Sequence, residues 1–275
     1  MTLPRNFKSI LLSVIAVLCI YIFTRNSSII NPTSGQTAKF LKLRGFESDQ
    51  QGFHAAVAAQ DITAINAFIA AGMDVNARDP NDGRTALISA SARGDFEVVT
   101  TLLQAHADVN AKDKTGHTAL FHALEARYDN VSDLLLAQPD LDVNARGKND
   151  ITALISYVWR DREDVVDNLL ARGADVTLQD ADGDTALHGA AQTGNVQIIK
   201  QLLDRGADVN AKNKVGGSPL MWAAVYGNAE AVRLLLAHHA NAALKDVDGL
   251  TALDWARRNN RAQVIDVLLH SKAKK

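Results

Sequence analysis

The residues of this chain best suited to chemistry are its eight histidines and a recurring set of acids. His54, His106, His117, His122, His188, His238, His239 and His270 are scattered along the sequence. Imidazole titrates near neutrality and ligates metals, so each is a candidate base or ligand. Asp108, Asp142, Asp175 and Asp208 each precede a valine at one register. Recurrence of that kind belongs to a turn rather than to an acid and base paired for catalysis. The chain has no glycine-rich phosphate loop, no HExxH and no G-x-S-x-G, the arrangements in which spacing itself carries the chemistry. Its single cysteine, Cys19, rules out an internal disulfide framework. No catalytic, cofactor or metal site is therefore predicted, and function is expected to reside in a surface.

Composition agrees. At 275 residues and a formal net charge of −2, the chain has no charge excess that would favour nucleic acid. Aromatics are 5% of residues, and the apolar content is mainly Ala, Leu, Val and Ile, which favours helices packed through small side chains.

The elements that carry these residues repeat. Thr85-Ala86-Leu87, Thr118-Ala119-Leu120, Thr152-Ala153-Leu154, Thr185-Ala186-Leu187, Ser218-Pro219-Leu220 and Thr251-Ala252-Leu253 lie 33, 34, 33, 33 and 33 residues apart. The extra residue falls in "AQPDLDVN". In the copy over 182–214, Thr185 is placed to cap a short helix, with Leu187, Ala190 and Ala191 on its packed side and Gly194 ending it. Ile198, Ile199, Leu202 and Leu203 form the apolar stripe of a second helix, closed by Gly206. Helices this short do not fold alone, so copies must stack into one continuous core.

Period, signature and helix pairing strongly resemble the ankyrin repeat, over residues 52–271. The implied fold is all-α: a solenoid of about seven helix-turn-helix copies joined by β-turn hairpins, at 52–81, 82–114, 115–149, 150–181, 182–214, 215–247 and 248–275. Phe53 and the pair Phe68-Ile69 take the leucine positions of the first copy. The outer copies are expected to act as caps. His54 and His188 occupy the signature histidine position, where the expected role is a hydrogen bond to turn backbone. The resemblance also implies a concave face of hairpin tips and first helices that binds another protein.

Ahead of the array, Arg5 and Lys8 precede an apolar run from Ile10 to Phe23. Residues 1–25 are read as a signal anchor or signal peptide, with 7–24 in the membrane if uncleaved. The basic N-terminal flank places the remainder outside the cytoplasmic membrane, periplasmic or secreted. Residues 26–51, rich in Asn, Ser, Thr, Gly and Gln, read as a tether.

One stretch departs from the repeat. "SYVWRDRED" puts Tyr157 and Val158 where other copies carry alanines, and Asp161 where they carry glycine. Gln60, Arg127 and Asp150 also replace glycines. Tyr157 is assigned to packing. Trp159 and Tyr226 fall at the exposed end of first helices, and Trp222 and Trp255 at the edge between core and groove, where packing competes with binding. With Tyr128, Arg160 and Arg162 they make a candidate protein-binding patch, because Trp, Tyr and Arg dominate interface hot spots. The tips differ in character: Lys114 and Lys148 are basic, Asp182 and Asp184 acidic, Val247 and Leu250 apolar. The predicted function is a non-catalytic scaffold for a protein partner, with an inhibitor or immunity-type protein, an enzyme or metal protein using the histidines, and a cytosol-facing adaptor as rivals.

Overall fold

The computed structural model describes residues 34–271, and the apolar N-terminal segment and proposed anchor lie outside them. The described residues form fifteen α-helices and no strand. The first is α1 (Ser34–Leu43), and seven helix pairs follow. The first helices are α2 (Gln50–Ala58), α4 (Ala86–Arg93), α6 (Ala119–Glu125), α8 (Ala153–Trp159), α10 (Ala186–Thr193), α12 (Pro219–Tyr226) and α14 (Ala252–Arg258). Their partners are α3 (Ile62–Ala70), α5 (Phe96–Gln104), α7 (Asp129–Leu136), α9 (Glu163–Ala171), α11 (Val196–Asp204), α13 (Ala229–Ala237) and α15 (Ala262–Ser271). First helices pack on first helices and second on second, giving two rows with the core between them.

The caps follow the predicted chemistry. The side chains of Thr85, Thr118, Thr152, Ser218 and Thr251 each accept an amide hydrogen bond three residues on. Gly94, Gly194 and Gly227 end their helices in the left-handed region. Gln60, Arg127, Asp150 and Asp161 adopt that conformation without being glycine, with φ of 56°, 61°, 57° and 58°.

The recurring acids are turn residues. The side chains of Asp108, Asp142, Asp175 and Asp208 each accept the amide two residues on. The asparagine of each "DVN" reaches the next copy. Asn76, Asn110, Asn144 and Asn210 accept from the amides of Asp108, Asp142, Asp175 and Asn241 at 2.7–2.9 Å. This polar ladder satisfies turn backbone that water would otherwise have to reach.

The N-terminal end of the array differs from the sequence reading. Residues 34–43, assigned to the tether, form helix α1, with Thr37 and Leu41 buried against α3. Arg44 clamps Asp61 through two hydrogen bonds of 2.8 and 2.9 Å, and its guanidinium lies 5.4 Å from the Phe40 ring. The first copy is therefore covered by an added helix rather than serving as the end cap itself. It also begins slightly earlier, with Asp49 capping α2.

The stacking is also uneven. The third and fourth copies touch least of all neighbouring pairs, both between α6 and α8 and between α7 and α9. The cause is local. The copies are 34 residues apart, the hairpin between them closes through a 3-10 turn at Lys148–Asp150, and Tyr157 inserts a fully buried ring where other copies place alanine. Tyr157 therefore packs, as predicted.

Candidate protein-binding site

Helix α10 lies between α8 and α12 and packs closely on both. It carries Gly189 at the register where α12 carries Trp222 and α14 carries Trp255. A Cβ on Gly189 would lie 3.0 Å from Nε1 of Trp159. The missing side chain thus lets the Trp159 ring lie over the α10 backbone while 40% of that residue stays exposed. On the far side, Trp222 and Tyr226 stack with centroids 5.9 Å apart and planes 14° apart, and Tyr226 is 44% exposed. Two partly exposed aromatic residues, Trp159 and Tyr226, thus stand on the helices either side of α10. Such rings present large apolar area at low entropic cost, which suits them to contact another protein.

The structure separates the other candidates from these. Trp255 is fastened inward: its Nε1 donates to Asp246 Oδ2 at 2.7 Å, and Arg258 lies over its ring. Arg160 donates to the Leu124 carbonyl and pairs with Asp129 at 3.4 Å. Arg162 makes a two-pronged contact with Asp164 at 2.9 and 3.0 Å, and lies 3.6 Å from Asp129 and 3.8 Å from Asp133. Both guanidinium groups sit about the Tyr157 ring, at 5.9 and 6.0 Å. Their charge is spent within the chain, tying the fourth copy to the third. Tyr128 is 37% exposed and lies over Gly94, where a Cβ would meet its ring at 2.7 Å.

At the tips, Lys114 donates to the carbonyls of Pro80 and Asn81 at 2.7 and 2.8 Å, so it bridges neighbouring hairpins. Lys148 stays exposed, 3.9 Å from Glu125. Val247 is 70% exposed beside Val215, whose carbonyl accepts its amide. Asp184 is 5% exposed and accepts from Asn213 Nδ2 at 2.9 Å. Burial pushes its carboxyl up to about 6, aided by the nearby Asp180 and Asp182 charges.

The histidine reading holds at one of its two positions. His188 Nδ1 accepts from the Thr185 amide at 3.1 Å, and Nε2 lies 3.2 Å from the Gly217 carbonyl. Burial lowers its pKa to about 4, which keeps the ring neutral. His54 departs from the expectation: its Nε2 is buried without a hydrogen-bond partner. Sequence reasoning also took the histidines as scattered, whereas Asp113, His117 and His122 come together at one hairpin, donor atoms within 4.8 Å of one another. The signal was present as D-x3-H-x4-H across a hairpin and the first turn of a helix.

The ankyrin repeat family model, in three copies, matches residues 53–147, 141–213 and 187–275. Among solved structures, an ankyrin repeat domain from Acinetobacter baumannii AYE is 29% identical, with a TM-score of 0.60, covering 68% of this chain and 97% of its own. The ankyrin repeat domain of Bcl-3, a member of the IkappaB protein family, is 32% identical, with a TM-score of 0.62, covering 79% of this chain and 97% of its own. No curated protein sequence matches this chain. Matched over almost the whole of its described length, and with the helix pairs and hairpins of its structural neighbours, the chain belongs to the ankyrin-repeat family.

Proposed function

We propose that this chain is a non-catalytic scaffold that binds a protein partner over the α8, α10 and α12 face, with Trp159, Trp222 and Tyr226 as anchors. Ankyrin repeats are protein-interaction scaffolds, and the coarse function follows from the family. The observation that carries the finer reading is the exposure of two aromatic residues, Trp159 and Tyr226, on the helices that flank α10, while Arg160, Arg162, Trp255 and Asp184 are engaged internally. Such anchors contribute roughly 2 kcal/mol or more each when an interface buries them.

The same proposal places the array outside the cytoplasmic membrane, held by residues 7–24 or released after cleavage. Support comes from the basic flank and apolar run of the N-terminus. Among the described residues, no helix is long and apolar enough to cross a membrane. Protease accessibility of the array in intact spheroplasts tests the placement; protection would favour the cytosol-facing adaptor. Affinity capture with the full-length chain, compared with its W159A/Y226A variant, tests the binding face. A partner enzyme inhibited on capture would select the inhibitor reading.

A further inference from the structure

We propose that Asp113, His117 and His122 form a binding site for a first-row divalent metal ion, zinc foremost. The three residues come from one hairpin and the helix it opens, and a ligating atom of each lies within 4.8 Å of the others. Two imidazoles and one carboxylate are a donor set suited to zinc, which holds such ligands at about 2.0–2.2 Å. Closing the triangle onto an ion needs side-chain movements of about 1 Å. His117 is the ligand that must make them, as the Asp113 and His122 side chains already meet at 2.8 Å.

The surroundings orient the ligands as a metal site requires. Asp113 Oδ1 is occupied, accepting the Thr115 and His117 amides at 2.9 and 3.0 Å and the Thr115 hydroxyl at 2.6 Å. That leaves Oδ2 aimed at His122 Nε2, 2.8 Å away. The Thr115 hydroxyl also lies 2.9 Å from His117 Nδ1, so one hydroxyl steadies two of the three ligands. Phe121 stacks on the His117 ring with centroids 4.6 Å apart, and the two imidazoles meet edge to face at 5.6 Å. Beside the cluster, a broad hollow of about 610 Å³ gives water access to a remaining coordination position, with Glu125 on its wall.

Comparison along the array singles this hairpin out. The position before each cap reads Arg84, His117, Ile151, Asp184, Gly217 and Leu250. In the last copy the equivalent of His122 is Trp255, which donates to its hairpin acid but cannot ligate. The third copy alone places two imidazoles about the acid. One group competes: Arg84 Nε lies 3.6 Å from Asp113 Oδ2. Arg84 lies equally near Asp82, also at 3.6 Å, so a bound ion can displace it toward that partner.

The test is calorimetric titration of zinc chloride into chelator-treated, full-length chain near neutral pH. One zinc per chain is expected, with affinity reduced about tenfold or more in both H117Q and H122Q and unchanged in H238Q/H239Q. Because His122 is nearly buried and its variant risks misfolding, H117Q decides if H122Q loses its helical circular dichroism. No saturable binding, or an isotherm that H117Q leaves unchanged, overturns the proposal.

Discussion

Trp255 and Asp246 are joined by a 2.7 Å hydrogen bond from indole to carboxylate, across nine residues. The same acid accepts the amides of Asp248 and Leu250, so one side chain shapes the hairpin and anchors the helix after it. Trp255 is thus a structural clamp in the last copy. The variant W255F keeps most of the ring and loses the donor, and should destabilise the chain by about 1 kcal/mol. Chemical denaturation checks the loss, and partner binding per folded molecule should not change.

Tyr157 has the opposite bookkeeping. Its ring is fully buried, its hydroxyl faces that of Ser132 without closing a hydrogen bond of normal geometry, and burial raises its pKa to about 12. Removing an unsatisfied buried hydroxyl at constant ring volume recovers a desolvation cost. Y157F should therefore raise stability by about 1 kcal/mol, whereas Y157A should lower it by roughly 3 kcal/mol or more through the cavity it leaves. Equal destabilisation by both would show that the hydroxyl is satisfied in solution.

The junction between the third and fourth copies is the thinnest in the stack, and it sits beside Arg127 and Asp161, both in the left-handed region. In a linear array, stability is a sum of copy and interface contributions, so opening begins where the interface is weakest. Hydrogen exchange should show α6 to α9 less protected than α10 to α13. R127G, which relieves a backbone cost of about 1 kcal/mol, should raise protection there. Uniform protection along the array would contradict this.

Asp184 and His188 are a pair with opposed titrations, 3.9 Å apart. The folded pKa of Asp184 is raised to about 6, so its contribution is fully present below the ordinary carboxyl range and is lost as pH rises through 6. The folded pKa of His188 is lowered to about 4, so its contribution is present above about 6.5 and lost as pH falls toward 4. Between pH 4 and 6 the two slopes oppose. In D184N only the histidine slope remains. Its stability relative to the parent should be near zero around pH 4 and should grow to about 3 kcal/mol by pH 7. Melts across that range check the sign; a difference that shrinks with rising pH would refute it.

Much of this architecture was readable in the sequence because it rests on local rules repeated in register. The threonine caps, the left-handed closures and the paired aliphatics each recur at fixed offsets, and six copies leave one solution. Helix α1 escaped because its stability is tertiary: Thr37 and Leu41 mean little until α3 lies beneath them. The binding candidates sorted only in three dimensions. Arg160 and Arg162 look like free cations in "WRDRED", and only the position of α7 shows that they are paired with its acids. Asp184 looks like a solvated tip charge until Asn213 of the next hairpin covers it. Trp159, 40% exposed, rests against α10 only because Gly189, thirty residues away in sequence, makes room for its ring.

In the proposed function, Trp159 and Tyr226 face a protein partner. Its most direct test is affinity capture by the full-length chain and by W159A/Y226A, with the melting temperature of each recorded alongside. Proteins retained by the parent should be lost by the variant, with little change in melting. Unchanged capture per folded molecule, with a steep fall in melting temperature, would contradict it and make both rings part of the core.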